Sequence, residues 1–248
     1  MNGEFFLEVC CGSADDAVEA YRGGADRVEL NSDLFHGGLT PTVGTLLQVK
    51  KRIPLPVVCM VRPREGGFCY TECEFEVMLD DARVLLEHGA DGIVFGCLQE
   101  DGTVDAGRCK RMLEVIGAKE SVFHRALDVV PDVFAALDTL IGLGVGRVLT
   151  SGQSPTVPEG AALIKRMIDH AAGRMEILPG GGVTAANAGY CLRETGAGML
   201  HAAAHSTRYD RSTQGNPAIF FGGAIYPPED QYKLLNAQEI SRIRATGR

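Results

Sequence analysis

The feature that most constrains the fold of this chain is a short block of sequence that recurs at a fairly even spacing. The first copy is Gly24-Ala25-Asp26-Arg27-Val28-Glu29-Leu30, and the second is Gly89-Ala90-Asp91-Gly92-Ile93-Val94-Phe95. Two further copies begin at Gly144 and Gly196. Each block is typical of a glycine that ends a helix, followed by a short loop and a β-strand. The repeat therefore predicts an architecture in which helices and strands alternate regularly.

Further strand signals lie between the repeated blocks and complete the alternation. Eight strands are predicted, at residues 5–10, 26–31, 56–62, 91–96, 120–124, 146–150, 175–179 and 198–202. Helical patterns fill the gaps, at residues 13–23, 43–53, 73–88, 106–117, 131–142, 159–172 and 184–195. Repeated βα units of about 31 residues predict a TIM (β/α)8 barrel, an α/β fold with a parallel eight-stranded sheet. A doubly wound sheet is the alternative, but the even repeat favours closure.

The last unit departs from this rhythm. The chain has 248 residues, a length at which α/β barrels are routinely one domain. We therefore predict a single TIM-barrel domain over residues 1–248. Residues 203–235 show no clean periodicity and predict a long irregular loop, which could act as a lid over the barrel mouth or as a dimer arm. Residues 236–246 predict a final helix that begins at the capping residue Asn236.

Charge and hydropathy exclude several classes of partner. The net charge is −8 and no basic block occurs, which argues against nucleic acid and against an anionic membrane surface as partners. No apolar run reaches the ~18 residues that a membrane helix needs. The N-terminus lacks the pattern of a signal peptide, so we expect a reducing compartment. The eight cysteines should then remain thiols rather than form a disulfide framework.

Strand alternation places an unusual set of charged side chains inside the barrel. On the second predicted strand, Arg27, Glu29 and Asn31 share one face, while Val28 and Leu30 take the face that packs under helices. By the same parity the interior also receives Glu8, Cys10, Arg62 and His124. One interpretation is a salt-bridge network of two carboxylates and two guanidiniums that only fills the barrel. The other is a polar pocket at the C-terminal mouth, where barrel enzymes keep their chemistry.

Two loops at the predicted mouth carry groups suited to acid–base chemistry or anion binding. His124-Arg125-x-x-Asp128 closes the fifth strand, and a carboxylate there could fix the tautomer of the histidine. Gly180-Gly181-Gly182 leads into a helix, and Thr150 and Ser151 follow the sixth strand. Glycines and hydroxyls in such loops can form a cradle for phosphate or carboxylate. The alternative is a tight turn that requires positive φ angles.

Several thiols also lie near the predicted mouth, and soft thiolates suit Cu(I). Cys10 and Cys11 are adjacent, so in a strand they point apart, with Cys11 towards the helix layer, and cannot chelate one ion together. Cys69, Cys73 and Cys97 follow the third and fourth strands. Their spacing matches no known closed metal site.

A series of segments spread over about residues 5–205 allows a family comparison. The segments are Leu7-Glu8-Val9-Cys10, Gly24-Ala25-Asp26-Arg27-Val28-Glu29-Leu30, Gly37-Gly38-Leu39-Thr40-Pro41, Val61-Arg62-Pro63-Arg64, Phe68-Cys69-Tyr70, Gly89-Ala90-Asp91-Gly92-Ile93-Val94-Phe95-Gly96, Phe123-His124-Arg125-Ala126-Leu127-Asp128, Arg147-Val148-Leu149-Thr150-Ser151-Gly152 and Leu178-Pro179-Gly180-Gly181-Gly182. In order and spacing this series resembles the CutC copper homeostasis proteins. The resemblance implies a TIM barrel, a cytoplasmic location, a homodimer or higher homo-oligomer, and a role in copper homeostasis that could include direct binding of Cu(I).

One departure from the family pattern bears on copper. Family members often carry a cysteine after the Glu-Leu of the second strand, where it could join the first-strand cysteine on a metal. This chain has Asn31 at that position. Because the amide oxygen is a hard, neutral ligand, we expect weak Cu(I) binding at Cys10 and tighter binding in Asn31→Cys.

Two functions therefore stay open at this point. One is a cytosolic copper-handling protein, with Cys10 as the candidate metal ligand. The other is an enzyme acting on a small anionic metabolite that carries phosphate or carboxylate, which the carboxylates and guanidiniums of the pocket fit better than Cu(I). The candidate catalytic residues are Glu8, Glu29, Arg62, His124 and Asp128. The candidate ligand-binding residues are Arg27, Arg125, Thr150, Ser151, Gly180, Gly181, Gly182 and His201.

Overall fold

Strands and helices alternate along most of the chain in the computed structural model, which describes residues 5–223 and 227–247. The strands of the main sheet are β1 (Phe6–Cys11), β2 (Arg27–Leu30), β3 (Val57–Met60), β4 (Gly92–Phe95), β5 (Glu120–Phe123), β6 (Arg147–Thr150), β7 (Glu176–Pro179) and β8 (Met199–Ala202). The helices that follow them are α1 (Ala14–Arg22), α2 (Val43–Arg52), α3 (Glu72–Glu87), α4 (Ala106–Ile116), α5 (Val133–Leu143), α6 (Val157–Ala171), α7 (Ala188–Thr195) and α8 (Ala237–Ala245).

The main sheet closes on itself as a parallel barrel. Its strands follow one another in chain order from β1 to β7, and β8 pairs with β1 on the other side. All of these pairings are parallel, and a single parallel bridge between Gly180 and His201 joins the ends of β7 and β8. The prediction of an eight-stranded TIM barrel is confirmed. No helix in the described ranges is both long and apolar enough to cross a membrane.

Local sequence signals account for where several of the helices begin. The Ser13 hydroxyl accepts a hydrogen bond from the Asp16 amide at the start of α1. Thr71 and Glu74 form a reciprocal capping box at the start of α3. The Asn236 side chain accepts bonds from two amides at the start of α8, so the predicted final helix is present with the predicted cap.

Strand alternation divides the apolar residues between two cores. The larger core lies between the barrel and the helices and takes alternate strand residues, such as Val28 and Leu30 of β2. The smaller core fills the barrel interior with side chains of the opposite parity, namely Val58, Met60, Val94, Val122, Leu149 and Leu178. The buried residues of this inner core come from β3 to β7, and Met199 of β8 packs against them. Buried polar side chains such as Glu8 of β1 and Glu29 of β2 occupy the side of the interior nearest those strands.

A network of charged side chains fills the amino-terminal end of the barrel. Arg27 donates from Nε to Glu8 Oε2 at 2.6 Å and from Nη1 to Glu120 Oε1 at 2.5 Å. Arg147 forms ion pairs with Glu120 and Glu176. Arg27 is the first residue of β2, so it lies at this end of the barrel. The interpretation as a pocket at the C-terminal mouth is therefore wrong for this residue.

Residues 203–235 differ from their prediction as an irregular loop. They contain two further strands, β9 (His205–Tyr209) and β10 (Gln231–Leu235), which pair antiparallel. These two strands were not predicted because neither face is strongly buried, so their sequences do not alternate between apolar and polar residues. The Leu235 amide donates to Asp16 Oδ1 at 2.7 Å, which attaches this ribbon to α1. Residues 224–226 of the predicted loop lie outside the described residues.

The charged network gives a stability prediction. We expect Arg27→Met to lower the free energy of unfolding by about 3–5 kcal/mol, because it leaves the Glu8 carboxylate buried without its guanidinium partner. The matched control is Arg22→Met, which removes an exposed ion pair with Glu19 and should cost less than about 1 kcal/mol. Urea unfolding of both variants measures the difference, and equal losses would contradict a structural role for the buried network.

Candidate functional site

A cavity of about 530 Å³ opens at the carboxyl ends of the barrel strands. Most of the residues predicted for the site line it, namely Cys10, Glu29, Arg62, His124, Arg125, Asp128, Gly180, Gly181, Gly182 and His201. Four predicted residues, Glu8, Arg27, Thr150 and Ser151, are not among its lining residues. The position is the one that barrel proteins commonly use for ligands.

Three potential metal ligands converge on one side of this cavity. Cys10, Glu29 and His201 each offer one ligand atom, and these atoms lie within 4.8 Å of one another. The convergence follows from the sheet, since Cys10 of β1 is in register with Glu29 of β2, and His201 belongs to β8 on the other side of β1. No other such group of three is found within residues 5–223 and 227–247.

The orientation of His201 is set by a buried carboxylate. Its Nδ1 donates to Glu8 Oε1 at 2.6 Å, which leaves Nε2 directed to the side of Glu29, 3.9 Å from Oε2. Burial by itself would raise the pKa of Glu8, but the hydrogen bond from His201 and the charge of Arg27 outweigh it and lower the pKa to about 2. Glu8 is therefore an anion at physiological pH, and its hydrogen bond keeps a proton on Nδ1 of His201.

Neighbouring groups set the pKa values and the orientation of the other two members of the cluster, Cys10 and Glu29. Burial raises the pKa of Cys10, and the nearby Glu29 carboxylate raises it further. Burial also raises the pKa of Glu29, against the opposing influence of His201. The Asn31 amide donates to Glu29 Oε2 at 2.9 Å and lies 3.5 Å from Cys10 Sγ. Asn31 thus contacts two members of the cluster and holds the Glu29 carboxylate in place.

His124 presents a different arrangement at the end of β5. Its Nδ1 accepts a hydrogen bond from the Ala126 amide, so the ring proton belongs on Nε2. That Nε2 atom is buried and has no hydrogen-bond partner among the described residues. Burial, together with the positive charge of Arg62, lowers the pKa of His124 to about 3, so the imidazole is neutral at physiological pH.

Arg62 lies beside His124 as a buried cation with unusual partners. Its Nη1 donates to the carbonyl oxygens of His36 and Gly38, and its Nη2 donates to that of Gly66. The predicted balance of two carboxylates and two guanidiniums is therefore wrong for this residue, since no carboxylate within the described ranges pairs with Arg62. The guanidinium carbon lies 5.4 Å from the centre of the Phe68 ring.

The Asp128 carboxylate binds donors at the end of β6, part of the predicted anion cradle. Its carboxylate accepts from the Thr150 hydroxyl at 2.5 Å and from the Ser151 and Gln153 amides. Arg125 Nε also donates to it, at 2.8 Å. The donors that follow β6 are thus taken by a carboxylate of this same chain. Asp128 was predicted to fix the tautomer of His124 by a hydrogen bond. Within the described chain its carboxylate binds these donors instead of the imidazole.

The remaining predicted groups lie at the cavity, in the helix layer or at the exposed surface. Gly181 and Gly182 line the cavity with φ angles of 119° and 69°, as a tight turn requires. Cys11 is buried in the outer core, as its parity predicted. Cys69 and Cys73 are exposed thiols that do not belong to the cluster. Phe68 was not predicted as a site residue, because it sits in an aperiodic loop and carries no polar atom.

Comparisons with known proteins agree on one family. The family model described as the CutC family matches residues 5–206. A family protein CutC of Treponema denticola is 52% identical over 237 residues, which cover 96% of each chain. A human protein named copper homeostasis protein cutC homolog is 43% identical over 241 residues, which cover 97% of this chain and 88% of that protein.

Solved structures show the same relationship. A CutC protein from Streptococcus agalactiae has a TM-score of 0.76 and 32% identity, and the match covers 79% of this chain and 97% of that one. Phosphoribosylanthranilate isomerase of Thermotoga maritima has a TM-score of 0.56 at 12% identity, over 98% of both chains. The second likeness extends to the fold alone.

The close approach of His124 to β4 gives a prediction. A Cβ added at Gly96 would lie 2.4 Å from His124 Cε1, so we expect Gly96→Ala to displace the ring and to destabilise the fold by about 1–3 kcal/mol. The control is Gly142→Ala in α5, where nothing lies within 4 Å and the substitution should be neutral or stabilising. Thermal unfolding and the side-chain nitrogen resonances of His124 measure the two effects. An unmoved His124 in Gly96→Ala would contradict the described packing.

Proposed function

This chain belongs to the CutC family, and we propose that it serves copper homeostasis by binding a Cu(I) ion through Cys10, Glu29 and His201. The observation that carries the proposal is the convergence of a thiol, a carboxylate and an imidazole within 4.8 Å at the edge of an open cavity. Relatives named for copper homeostasis favour copper as the ion. Copper is the cargo here, so the site has to bind the ion and also release it.

The donor set fits a copper ion. Thiolate and imidazole are both ligands that copper accepts, and the soft thiolate favours the Cu(I) state. The weak binding expected from the sequence counted thiolates alone, whereas His201 supplies Cys10 with an imidazole partner. The harder Glu29 carboxylate contributes mainly negative charge beside the ion. Asn31 still denies the site a second thiolate, which leaves room to tighten it.

Glu8 supports the ligand role of His201. A ligating histidine commonly donates its other ring N–H to a carboxylate, which fixes the ring and makes the free nitrogen a better ligand. Glu8 does this from within the barrel, at 1% exposure. The anion also offsets part of the positive charge that a bound ion brings into the interior.

The three candidate ligands are reached from the cavity. Cys10, Glu29 and His201 come from three neighbouring strands, and all three line the cavity wall. An ion can therefore enter and leave from the mouth without separation of strands. Binding would release the thiol proton of Cys10 and any proton on Nε2 of His201, whose pKa is raised by Glu29 and Glu8 against the effect of burial.

Competition against a Cu(I) chelator tests the proposal. We expect Cys10→Ser and His201→Phe each to weaken binding by at least ~10-fold, since loss of a ligand should cost no less than loss of a supporting residue. Asn31→Cys should tighten binding because it adds a second thiolate.

The matched control is Cys69→Ser, which removes an exposed thiol outside the cluster and should leave the affinity unchanged. Equal affinities for the original protein and Cys10→Ser would refute the proposed site. So would a loss in Cys69→Ser as large as that in Cys10→Ser.

A further inference from the structure

The cavity has a second polar wall that the copper proposal does not use. It is formed where β3 and β5 end, and it carries Arg62 and His124. Both residues are more than nine-tenths buried, at 7% and 4% exposure. A volume of about 530 Å³ is also far larger than an ion requires and falls in the range of small-molecule pockets.

We propose that this wall binds the carboxylate of a small organic acid, with the His124 Nε2–H as the hydrogen-bond donor and Arg62 as the countercharge. The apolar body of the ligand would lie against Phe68, Met60 and Leu149, which line the same cavity. The inference is independent of copper, because it uses none of the three proposed metal ligands.

The hydrogen-bonding state of His124 supports a ligand oxygen as its partner. Because Nδ1 accepts the Ala126 amide, Nε2 carries the proton and can only donate. A buried donor without an acceptor costs free energy, on the order of 1–3 kcal/mol in proteins. In the described part of the chain no acceptor reaches this atom, so an oxygen brought by a ligand would recover that cost.

The charge of Arg62 supports an anion. A buried cation without an anionic partner is unfavourable, and three backbone carbonyl oxygens supply dipoles but no negative charge. Those carbonyls also hold the guanidinium in place, so its charge is available at a fixed position. One uncompensated cation beside one neutral donor matches a singly charged anion.

A carboxylate fits this wall better than a phosphate does. The donors after β6, where a phosphate could be bound, are already taken by Asp128. Among the described residues the remaining wall offers two unpartnered donors, the Nε2–H of His124 and the Nε–H of Arg62, while Nη1 and Nη2 of Arg62 are engaged by carbonyls. A dianionic group with three acceptor oxygens would find too few donors here.

The test uses metal-free protein and three probes that share one ring, namely benzoate, benzyl alcohol and phenyl phosphate. We expect benzoate to bind at least about tenfold more tightly than benzyl alcohol, because only the anion gains a charge-assisted interaction. Phenyl phosphate should bind more weakly than benzoate. Titration calorimetry measures the affinities, and nitrogen resonances of labelled histidine side chains report whether His124 is the residue contacted.

The variant for this test is His124→Asn, which keeps an acceptor for the Ala126 amide and removes the Nε2 donor. It should weaken benzoate about tenfold, while His88→Asn, on an exposed histidine at the end of α3, should not change it. If His124→Asn does not fold, the wild-type affinities and histidine resonances still decide the matter. Equal affinity for benzoate and benzyl alcohol, tighter binding of phenyl phosphate, or a shift confined to other histidines would each overturn the proposal. Failure of the copper titrations would leave these results unaffected.

Discussion

The Glu8 carboxylate is the interaction on which the rest of the interior depends. Glu8 lies on β1, and its two oxygens bind Arg27 of β2 and His201 of β8. One buried anion thus links the first strand to both of its neighbours. The same anion joins the charged network at the amino end of the barrel to the ligand cluster at its mouth. Removal of Glu8 would therefore affect both the stability of the barrel and the geometry of its site.

The kind of side chain inside the barrel changes along the barrel axis and, at the mouth, from one side to the other. Arginine and glutamate side chains fill the amino end as paired ions, and apolar side chains from β3 to β7 fill part of the middle. At the mouth, by contrast, potential metal ligands occupy the side of β1, β2 and β8, and Arg62 and His124 occupy the side of β3 and β5. Both interpretations of the polar interior therefore apply. The filling network lies at the amino end of the barrel, and the pocket lies at its mouth.

The sequence allowed the barrel and the parity of its strands to be predicted, because both depend on local periodicity. Parity alone placed Glu8, Glu29 and His124 inside. Most partners of Arg62 and Asp128 could not be predicted, since they lie 22–26 residues away along the chain and approach only in the folded barrel. His201 could have been recognised as a neighbour of Cys10, because closure of the predicted barrel brings the last strand beside the first. The β9–β10 ribbon carried no periodicity that would have revealed it.

The position of Asp128 has a consequence for ligand selectivity. Its carboxylate is tethered next to the Thr150, Ser151 and Gln153 donors, so its effective concentration there exceeds that of any free metabolite. A phosphate arriving from solution would have to displace a competitor that never diffuses away. The barrel can thus discriminate against phosphorylated compounds because the Asp128 carboxylate already occupies these donors, without a steric barrier at the entrance.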